Sequence, residues 1–491
     1  MVTVKTPDWI KDAVLYQIFP DRFAKSETIT GFSNIQLWGS KPTYNGFQGG
    51  NLPGITEKLD YLKDLGINAI YLNPIFQSAS NHRYHTHDYY KIDPVLGDLE
   101  SFQKLLDSAH KKGIRIILDG VFNHSSRGFF QFNHVLECGA ESPYLDWFHI
   151  ENFPLRPYES SKHPNYKAWA GHRALPEFNI DNPQVRKFLL DVAAYWTNMG
   201  IDGWRLDVPA EIDDDDFWRA FRNVVKKINP DAYIVGEIWV DEVTETGARW
   251  LEGDQFDAIM NYGLLSACIA FFIGDKLNKK LISDQGHAPK KTLNAQEFGE
   301  RLESIRQLYH PDIIYSQYNL LSSHDTARFI NLCRKDFRIL KLATTFLMTY
   351  PGAPSIYYGD EVGLEGRRDP DCRRAMPWDE ESWNINVYSH TKKMIAIRND
   401  NEVFRRGTFK HFYIDKSAGI YAYSRSLNNT HGVVILNNSE KTYSVDIPVE
   451  EPLPDNIMLK CLVHDNEYSV KNNRLTGPGI APKSSAVLMV L

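Results

Sequence analysis

The sequence predicts an α/β protein: a (β/α)8 TIM barrel with an inserted excursion after strand 3 and a C-terminal antiparallel β domain. Apolar strand-like runs alternate with amphipathic helical stretches through roughly the first 400 residues. One irregular stretch interrupts this alternation, and short strands separated by turn formers replace it near the C-terminus. Eight strand-then-helix units favour a closed barrel, although a large doubly wound sheet would show the same alternation.

The predicted barrel strands are short apolar runs. They are residues 13–19, 69–72, 115–122, 203–207, 233–238, 256–260, 318–323 and 355–358. The predicted helices carry apolar residues on one face, and they are residues 52–65, 99–112, 183–199, 214–228, 337–350 and 383–398. Gly66 and Gly113 follow the first two helices, where a left-handed C-cap is expected. Pro183 opens the third helix, a position that tolerates proline.

Two stretches depart from the barrel pattern. Residues 125–182 are rich in Phe, Pro, His and Asn, and they are too long for an ordinary connection, so we expect an inserted subdomain B with a functional role. The barrel itself would then comprise residues 1–124 and 183–404. Beyond it, predicted strands at 408–414, 419–425, 432–436 and 443–447 indicate a C-terminal β-sandwich domain over residues 405–491.

Composition excludes several classes of protein. A net charge of −7 argues against a nucleic-acid partner, which would need a basic surface, and gives no reason to expect an anionic membrane. No apolar run approaches the ~20 residues needed to span a bilayer, and the N-terminus lacks the pattern of a secretory signal. The five cysteines are scattered and form no CxxC pair, so neither disulfides nor zinc is indicated. We therefore expect a cytoplasmic protein.

Three carboxylates lie at or near the carboxyl ends of three predicted strands. Asp207 ends the fourth strand, Glu237 lies in the fifth, and Asp325 comes just after the seventh. Unpaired carboxylates are costly in a core. At the mouth of a parallel barrel, however, side chains from different strand ends converge on one site. The three residues are therefore candidates for chemistry.

Hydrolysis of a glycosidic bond with retention needs one ionised and one protonated carboxyl group. Arg205 and Asp207 point the same way on a strand, so the guanidinium should favour the ionised form of Asp207. Val235, Ile238 and Trp239 form an apolar frame that should keep Glu237 protonated. Taken singly, an Arg-x-Asp pair also fits a structural ion pair, so the prediction depends on the joint occurrence of these runs in order.

The runs at 119–124, 203–207, 236–239 and 324–325 resemble the motifs of the α-amylase superfamily, glycoside hydrolase family 13. The resemblance extends from about residue 9 to the C-terminus and is strongest to the neopullulanase/cyclomaltodextrinase-like branch. It implies that Asp207 is the nucleophile, Glu237 the general acid/base, and Asp325 the stabiliser of the transition state. It also implies that Asp119 orients Arg205 or Tyr84.

The same resemblance implies a set of substrate contacts. Those to the sugar on the non-reducing side of the cut, or near it, are Tyr84, His85, His124, Arg205, His324, Asp369 and Arg373. Glu211 matches a glutamate near the leaving-group side, within a run that reads Val208-Pro209-Ala210-Glu211 here. Trp239 fits either a platform for a sugar or a lid over Glu237.

Three departures from the branch matter. Asn51 stands where several relatives have Asp, which weakens a hard-cation site, although Asn123 matches a calcium position in many α-amylases. We expect no organic cofactor and no required metal. Glu177 replaces the usual lysine of a nearby motif. The barrel pattern begins within the first twenty residues, so we expect neither the branch's additional N-terminal domain nor the dimer it helps to form.

These inferences predict a retaining hydrolase whose partner is an α-glucan oligosaccharide. Its substrates would be maltooligosaccharides, branched glucans, pullulan or cyclodextrins, cleaved at α-1,4 and also α-1,6 bonds. An uncovered cleft would admit longer or branched chains. Two alternatives stay open: a glucan transglycosylase that uses the same three carboxylates, and a non-catalytic glucan-binding protein built on the same barrel.

Overall fold

A closed ring of parallel strands forms the centre of the protein. The computed structural model describes residues 4–239, 245–283, 285–449 and 453–490. The barrel strands, labelled β1 to β8 in chain order, are Leu15–Ile18, Ala69–Leu72, Arg115–Gly120, Gly203–Leu206, Tyr233–Gly236, Ala258–Ile259, Tyr318–Leu320 and Ala353–Tyr357. They pair in the order β6-β5-β4-β3-β2-β1-β8-β7. A parallel bridge between Met260 and Tyr318 joins the two ends. The predicted barrel is confirmed, and the doubly wound alternative is wrong.

Fourteen α-helices occur among the described residues, labelled α1 to α14. They are Pro20–Phe23, Leu52–Glu57, Leu59–Leu65, Leu99–Lys111, Phe130–Cys138, Pro183–Asn198, Asp215–Ile228, Tyr262–Cys268, Ala295–Gln307, Pro311–Ser316, Phe329–Leu332, Phe337–Thr349, Ile385–Asp400 and Glu402–Arg406. The helix predicted over 52–65 is divided in two at Lys58, which departs from helical geometry. Helix α9 went unpredicted, although Asn294 and Glu297 form a capping box at its start.

The His- and Tyr-rich segment after β2 contains a β-hairpin. Strands Phe76–Ser78 and Thr86–Ile92 pair antiparallel, and Tyr84 and His85 lie in the connection between them. The excursion that follows β3 holds α5 and several short 3-10 turns. Isolated bridges from His124 to Glu177 and from Phe148 to Phe178 bring its two ends together. Both segments therefore lie at the carboxyl ends of the barrel strands, where substrates bind in this type of fold.

The C-terminal region is an eight-stranded antiparallel sheet. Its strands, β9 to β16, are Thr408–Asp415, Ile420–Leu427, Thr430–Asn437, Tyr443–Pro448, Ile457–Cys461, Glu467–Lys471, Arg474–Ile480 and Ser484–Val490. They pair in the order β9-β10-β11-β16-β13-β14-β15-β12. The sequence predicted only the first four. The predicted domain limits stay a prediction, and their outer ends at residues 1 and 491 lie outside the described residues.

Two buried arginines lie near the junction between this sheet and the barrel, and both donate to the carbonyl oxygen of Phe404. Arg398 donates to the carbonyl oxygens of Gly352 over 2.6 Å and of Met348 over 3.1 Å. Arg425, on β10, donates to the carbonyl oxygens of Phe404 over 2.9 Å and of Thr349. Both guanidinium groups thus satisfy backbone carbonyls at a junction where buried acceptors need partners.

In the part of the chain that is described, no helix combines the length and apolarity needed to traverse a bilayer.

Candidate active site

The three predicted carboxylates meet in one cavity. Asp207 comes directly after β4, Glu237 directly after β5, and Asp325 a few residues past the end of β7. All three line a cavity of about 630 Å³ at the carboxyl end of the barrel. This volume lies within the range of about 300–1,000 Å³ typical of small-molecule sites. The barrel therefore brings together side chains that are widely separated along the chain.

The guanidinium group of Arg205 lies beneath the cavity and contacts three carboxyl groups. Its Nη1 lies 2.9 Å from Oδ1 of Asp207 and 3.0 Å from Oδ1 of Asp119, while its Nη2 lies 2.5 Å from Oε1 of Glu237. The guanidinium is fully buried. One cation cannot neutralise three buried carboxylates, and an uncompensated buried charge is costly. The site is therefore stabilised when one of these carboxyl groups keeps a proton.

Burial decides which carboxyl group keeps that proton. Loss of solvent raises the pKa of Asp207 to about 7, although Arg205 opposes the rise. Burial raises the pKa of Glu237 well above its ordinary value; Arg205 opposes this rise too, and the nearby Asp207 and Asp325 charges add to it. Arg205 favours the ionised form of Asp207, as the spacing predicts, but the guanidinium also contacts Glu237. Asp207 is still the group that ionises more readily.

The backbone after β4 reaches Glu237 through a strained residue. Val208 has a φ of 36°, which places a β-branched residue in the left-handed region that it rarely occupies. Its N–H donates to Oε2 of Glu237 over 3.3 Å. At Gly236, a Cβ atom would come within 2.9 Å of the Phe256 ring. The hydrogen bond from Val208 holds one oxygen of Glu237, and the close approach of Phe256 leaves little room for a side chain at residue 236.

Asp325 is held in a different electrostatic state. Its Oδ2 lies 2.9 Å from Nε2 of His324, and its Oδ1 lies 3.1 Å from Nη2 of Arg373. Burial acts to raise the pKa of Asp325, but His324 and Arg373 outweigh burial and hold it below its usual range. Arg373 also pairs with Asp369 over 3.1 Å. The cavity thus offers one carboxylate that stays ionised beside two that share a guanidinium.

Asp119 serves three neighbours at once. Its carboxylate accepts hydrogen bonds from the hydroxyls of Tyr71 over 2.5 Å and Tyr84 over 2.8 Å, in addition to its contact with Arg205. Asp119 is buried and does not line the cavity. The prediction that it orients Arg205 or Tyr84 is confirmed, because it contacts both.

The hydroxyl of Tyr84 links this group to Asp325. It lies 2.7 Å from Nε2 of His324, and the two rings stack with their centroids 5.4 Å apart and 6° between their planes. Asn73 donates to the same hydroxyl over 3.0 Å. These contacts hold the Tyr84 side chain in place between Asp119 and His324.

The excursion lines another part of the cavity with aromatic side chains. Trp169 stacks on His124 with ring centroids 5.6 Å apart, and on His172 with centroids 5.8 Å apart. Burial lowers the pKa of His124 to about 3 and that of His85 to about 4, so both imidazoles are neutral at physiological pH. Neutral imidazoles beside an indole provide hydrogen bonds without charge, which suits an uncharged polyhydroxylated ligand.

Most of the predicted site residues line the cavity. They are Tyr84, His85, His124, Asp207, Glu237, Trp239, His324, Asp325, Asp369 and Arg373. Arg205 lies behind them, buried under the carboxylates. Glu211 is exposed and does not belong to the lining, so its predicted contact with substrate stays a prediction.

Trp239 is 37% exposed and stacks on Tyr262 with centroids 4.0 Å apart and 15° between the planes. The hydroxyl of Tyr262 in turn lies 3.5 Å from Oε1 of Glu237. Tyr262 supports the indole and Trp239 lines the cavity, and its contact with a sugar stays a prediction.

Several lining residues escaped the sequence analysis. They are His82, Trp169, His172, Leu175 and Gln285. Three of them belong to the excursion, whose unusual composition indicated a function without indicating which side chains face the barrel. His82 lies in the connection between the two hairpin strands and borders the cavity.

Asn51 has a structural role. Its side-chain oxygen accepts from the N–H groups of Ser26 and Gly54, and its amide nitrogen donates to the carbonyl oxygens of Ser26 and Gly49. This use explains an asparagine at the N-cap of α2. Within the described ranges, no group of three His, Cys, Asp or Glu side chains is arranged to hold a metal ion.

Comparison with known proteins identifies the family. The sequence profile of the alpha-amylase catalytic domain matches residues 17–427. The chain belongs to the α-amylase family of glycoside hydrolases. It is 43% identical over 448 residues to a cyclomaltodextrinase of Geobacillus thermopakistaniensis, in an alignment that covers 91% of this chain and 72% of that relative.

Two solved structures resemble this member of the α-amylase family over nearly its whole length. The protein Ttha1563 from Thermus thermophilus is 42% identical, with a TM-score of 0.93, and the match covers 98% of this chain and 99% of that one. A debranching enzyme from Nostoc punctiforme is 44% identical, with a TM-score of 0.89 and 99% coverage of both chains.

Proposed function

We propose that this α-amylase family member is a retaining α-glucan hydrolase. It cleaves α-1,4 and α-1,6 glucosidic bonds in maltooligosaccharides and branched glucans. The observation that carries this proposal is the shared contact of Asp207 and Glu237 with Arg205 on the cavity floor, at 2.9 Å and 2.5 Å. Relatives named cyclomaltodextrinase, neopullulanase and debranching enzyme support the substrate class.

The reaction takes place in two steps. In the first, a carboxylate oxygen of Asp207 bonds to the anomeric carbon while the bond from that carbon to the glycosidic oxygen breaks. Glu237 gives its proton to the departing oxygen, so the leaving chain departs as an alcohol. Asp325, held ionised by His324 and Arg373, stabilises the positive charge that develops on the sugar.

The second step reverses these roles. The Glu237 carboxylate takes a proton from water, and the water oxygen bonds to the anomeric carbon as the ester bond to Asp207 breaks. Asp207 leaves as a carboxylate and Glu237 regains its proton, which restores the resting site. Two inversions at one carbon give net retention.

A maltosyl fluoride tests these roles, because fluoride leaves without needing a proton. In Glu237→Gln the first step should proceed and the second should stall, so a maltosyl group should accumulate on Asp207 and appear as an added mass in that peptide. Asp207→Asn should accumulate no adduct. An adduct on another residue, or full turnover of maltooligosaccharides by Glu237→Gln, would refute the assignment.

The proposal also places the protein in the cytoplasm. All five cysteines are free thiols, and four of them are buried. Burial raises the pKa of Cys268, Cys333 and Cys372 above the ordinary value, so these thiols are unreactive in the folded protein.

A further inference from the structure

A large aromatic side chain stands in solvent beside the cavity. The side chain of Tyr44 is 68% exposed, and its hydroxyl donates to the backbone carbonyl oxygen of Asp369 over 3.3 Å. Tyrosine in a folded protein usually buries most of its ring. Here the ring is anchored at its tip and is left uncovered.

The backbone under Tyr44 is held firmly. The amide nitrogen of Asn81 donates to the carbonyl oxygens of Tyr44 and Gly46, over 2.9 Å in each case. Arg22 donates to the carbonyl oxygen of Gly46 over 2.8 Å. Asn81 and Arg22 are both buried. Because this segment is already ordered, a ligand that covers the ring pays little additional conformational entropy.

A series of contacts connects Tyr44 to Asp325 through Asp369 and Arg373. Asp369, to which its hydroxyl is bound, lines the cavity. The carboxylate of Asp369 pairs with Arg373 over 3.1 Å, and Arg373 pairs with Asp325 over 3.1 Å. His82, the residue after Asn81, lines the same side. Tyr44 is not itself among the lining residues, and its hydroxyl holds it next to Asp369, which is.

We propose that Tyr44 forms a distal sugar subsite, stacking its ring on a glucose unit of the same α-glucan chain. That unit lies farther from the scissile bond than the unit that contacts Asp325 and Arg373. One face of a glucose ring is lined by C–H groups, and an exposed aromatic face is a suitable apolar surface for it. This inference rests on the proposed function and adds chain-length preference to it.

The test compares two substrates of different length. Tyr44→Ala should raise KM for maltoheptaose by about 2- to 10-fold, the effect of losing about 0.5–1.5 kcal/mol of ring contact. KM for maltotriose should stay close to that of the unmodified enzyme, because a short chain fills only the subsites next to the cut. The value of kcat should change little for either substrate, since Tyr44 touches no reacting atom.

Phe130→Ala is the matched control. Phe130 is a 62% exposed aromatic residue on the excursion, and unlike Tyr44 its ring contacts residues outside the cavity lining, His134 and Tyr144. It should leave the ratio of the two KM values unchanged. Equal KM values for Tyr44→Ala and the unmodified enzyme on both substrates would overturn the proposal. An equal rise on both would overturn it too, because it would indicate a general distortion of the cleft.

Failure of the proposed function is distinguishable from failure of this inference. If the unmodified protein hydrolysed neither substrate, the proposed function would be wrong. Calorimetric Kd values of maltoheptaose for the unmodified protein and for Tyr44→Ala would still test the subsite without turnover. Weaker binding by Tyr44→Ala supports the subsite, and unchanged binding refutes it.

Discussion

Gln17 holds Nδ1 of His324 as a hydrogen-bond acceptor, with 2.9 Å between Nε2 of Gln17 and that ring nitrogen. The amide of Gln17 cannot be reversed without loss, because the same Nε2 donates to Oδ1 of Asn73 over 3.0 Å. Asn73 is fixed in turn by its bond to the hydroxyl of Tyr84. His324 is therefore the neutral tautomer with its proton on Nε2, which faces Asp325 at 2.9 Å.

Gln17→Glu should change the protonation state of His324. A carboxylate beside Nδ1 would favour the protonated ring, so the pKa of His324, now lowered by burial, should rise. His324 would then carry a positive charge next to the cationic transition state, and activity should be lost as the pH falls through that raised pKa. We expect the acid limb of the kcat/KM profile to move to higher pH by at least about one unit.

Two measurements separate this effect from simple misfolding. The ¹⁵N shifts of His324 should report an Nε2–H tautomer in the unmodified protein and a doubly protonated ring at neutral pH in Gln17→Glu. Gln17→Leu serves as the control without a new charge; it should lose stability by about 1–3 kcal/mol, because two buried polar groups lose their partner. If the acid limb of the kcat/KM profile did not shift in Gln17→Glu, Gln17 would not determine the protonation of His324.

The unmodified enzyme should show a bell-shaped dependence of kcat/KM on pH. In the proposed mechanism Asp207 must be ionised to attack, and burial raises its pKa to about 7. Activity should therefore fall as the pH drops below about 7, and fall again at higher pH as Glu237, whose pKa burial raises well above its ordinary value, loses its proton. The two limbs belong to the coupled pair. An acid limb near pH 4, typical of an exposed carboxyl group, would contradict the role of burial.

Asp119→Asn should destabilise the protein. The change removes the charge that faces Arg205 and one of the acceptors used by Tyr71 and Tyr84. Loss of one partner from a buried pair typically costs about 3–5 kcal/mol. We expect a lower Tm and a reduced kcat/KM, with Asp107→Asn on the exposed face of α4 as the control. A Tm equal to that of the unmodified protein would show that Asp119 is dispensable for the floor of the site.

Glu211→Gln should have little effect. Glu211 is exposed and lies outside the cavity lining, so its substitution should change kcat/KM by no more than ~2-fold, which corresponds to the ~0.5 kcal/mol typical of surface positions. Kinetics on a linear and a branched oligosaccharide would measure it. A large loss of kcat/KM on only one of the two substrates would show that Glu211 contacts substrate, as the sequence predicts.

The sequence was sufficient for the barrel and for the three carboxylates, because each strand is a buried apolar run and each carboxylate follows a strand. It was insufficient wherever tertiary contacts decide the outcome. Gln17 sits inside β1 as one polar residue among apolar ones, and only the closed barrel places it beside His324, far along the chain. Trp169 lies in an irregular segment whose periodicity indicates no direction. Arg205 pointed to Asp207 by its spacing, whereas its contact with Glu237 depends on the neighbouring strand.

The configuration of the newly released sugar tests the central claim most directly. Proton NMR of the anomeric signals during the first minutes of hydrolysis distinguishes the two outcomes before mutarotation mixes them. A covalent intermediate on Asp207 predicts that an α-linked glucan releases the α-anomer first. Release of the β-anomer first would show a single inverting displacement by water, and it would contradict the roles assigned to Asp207 and Glu237.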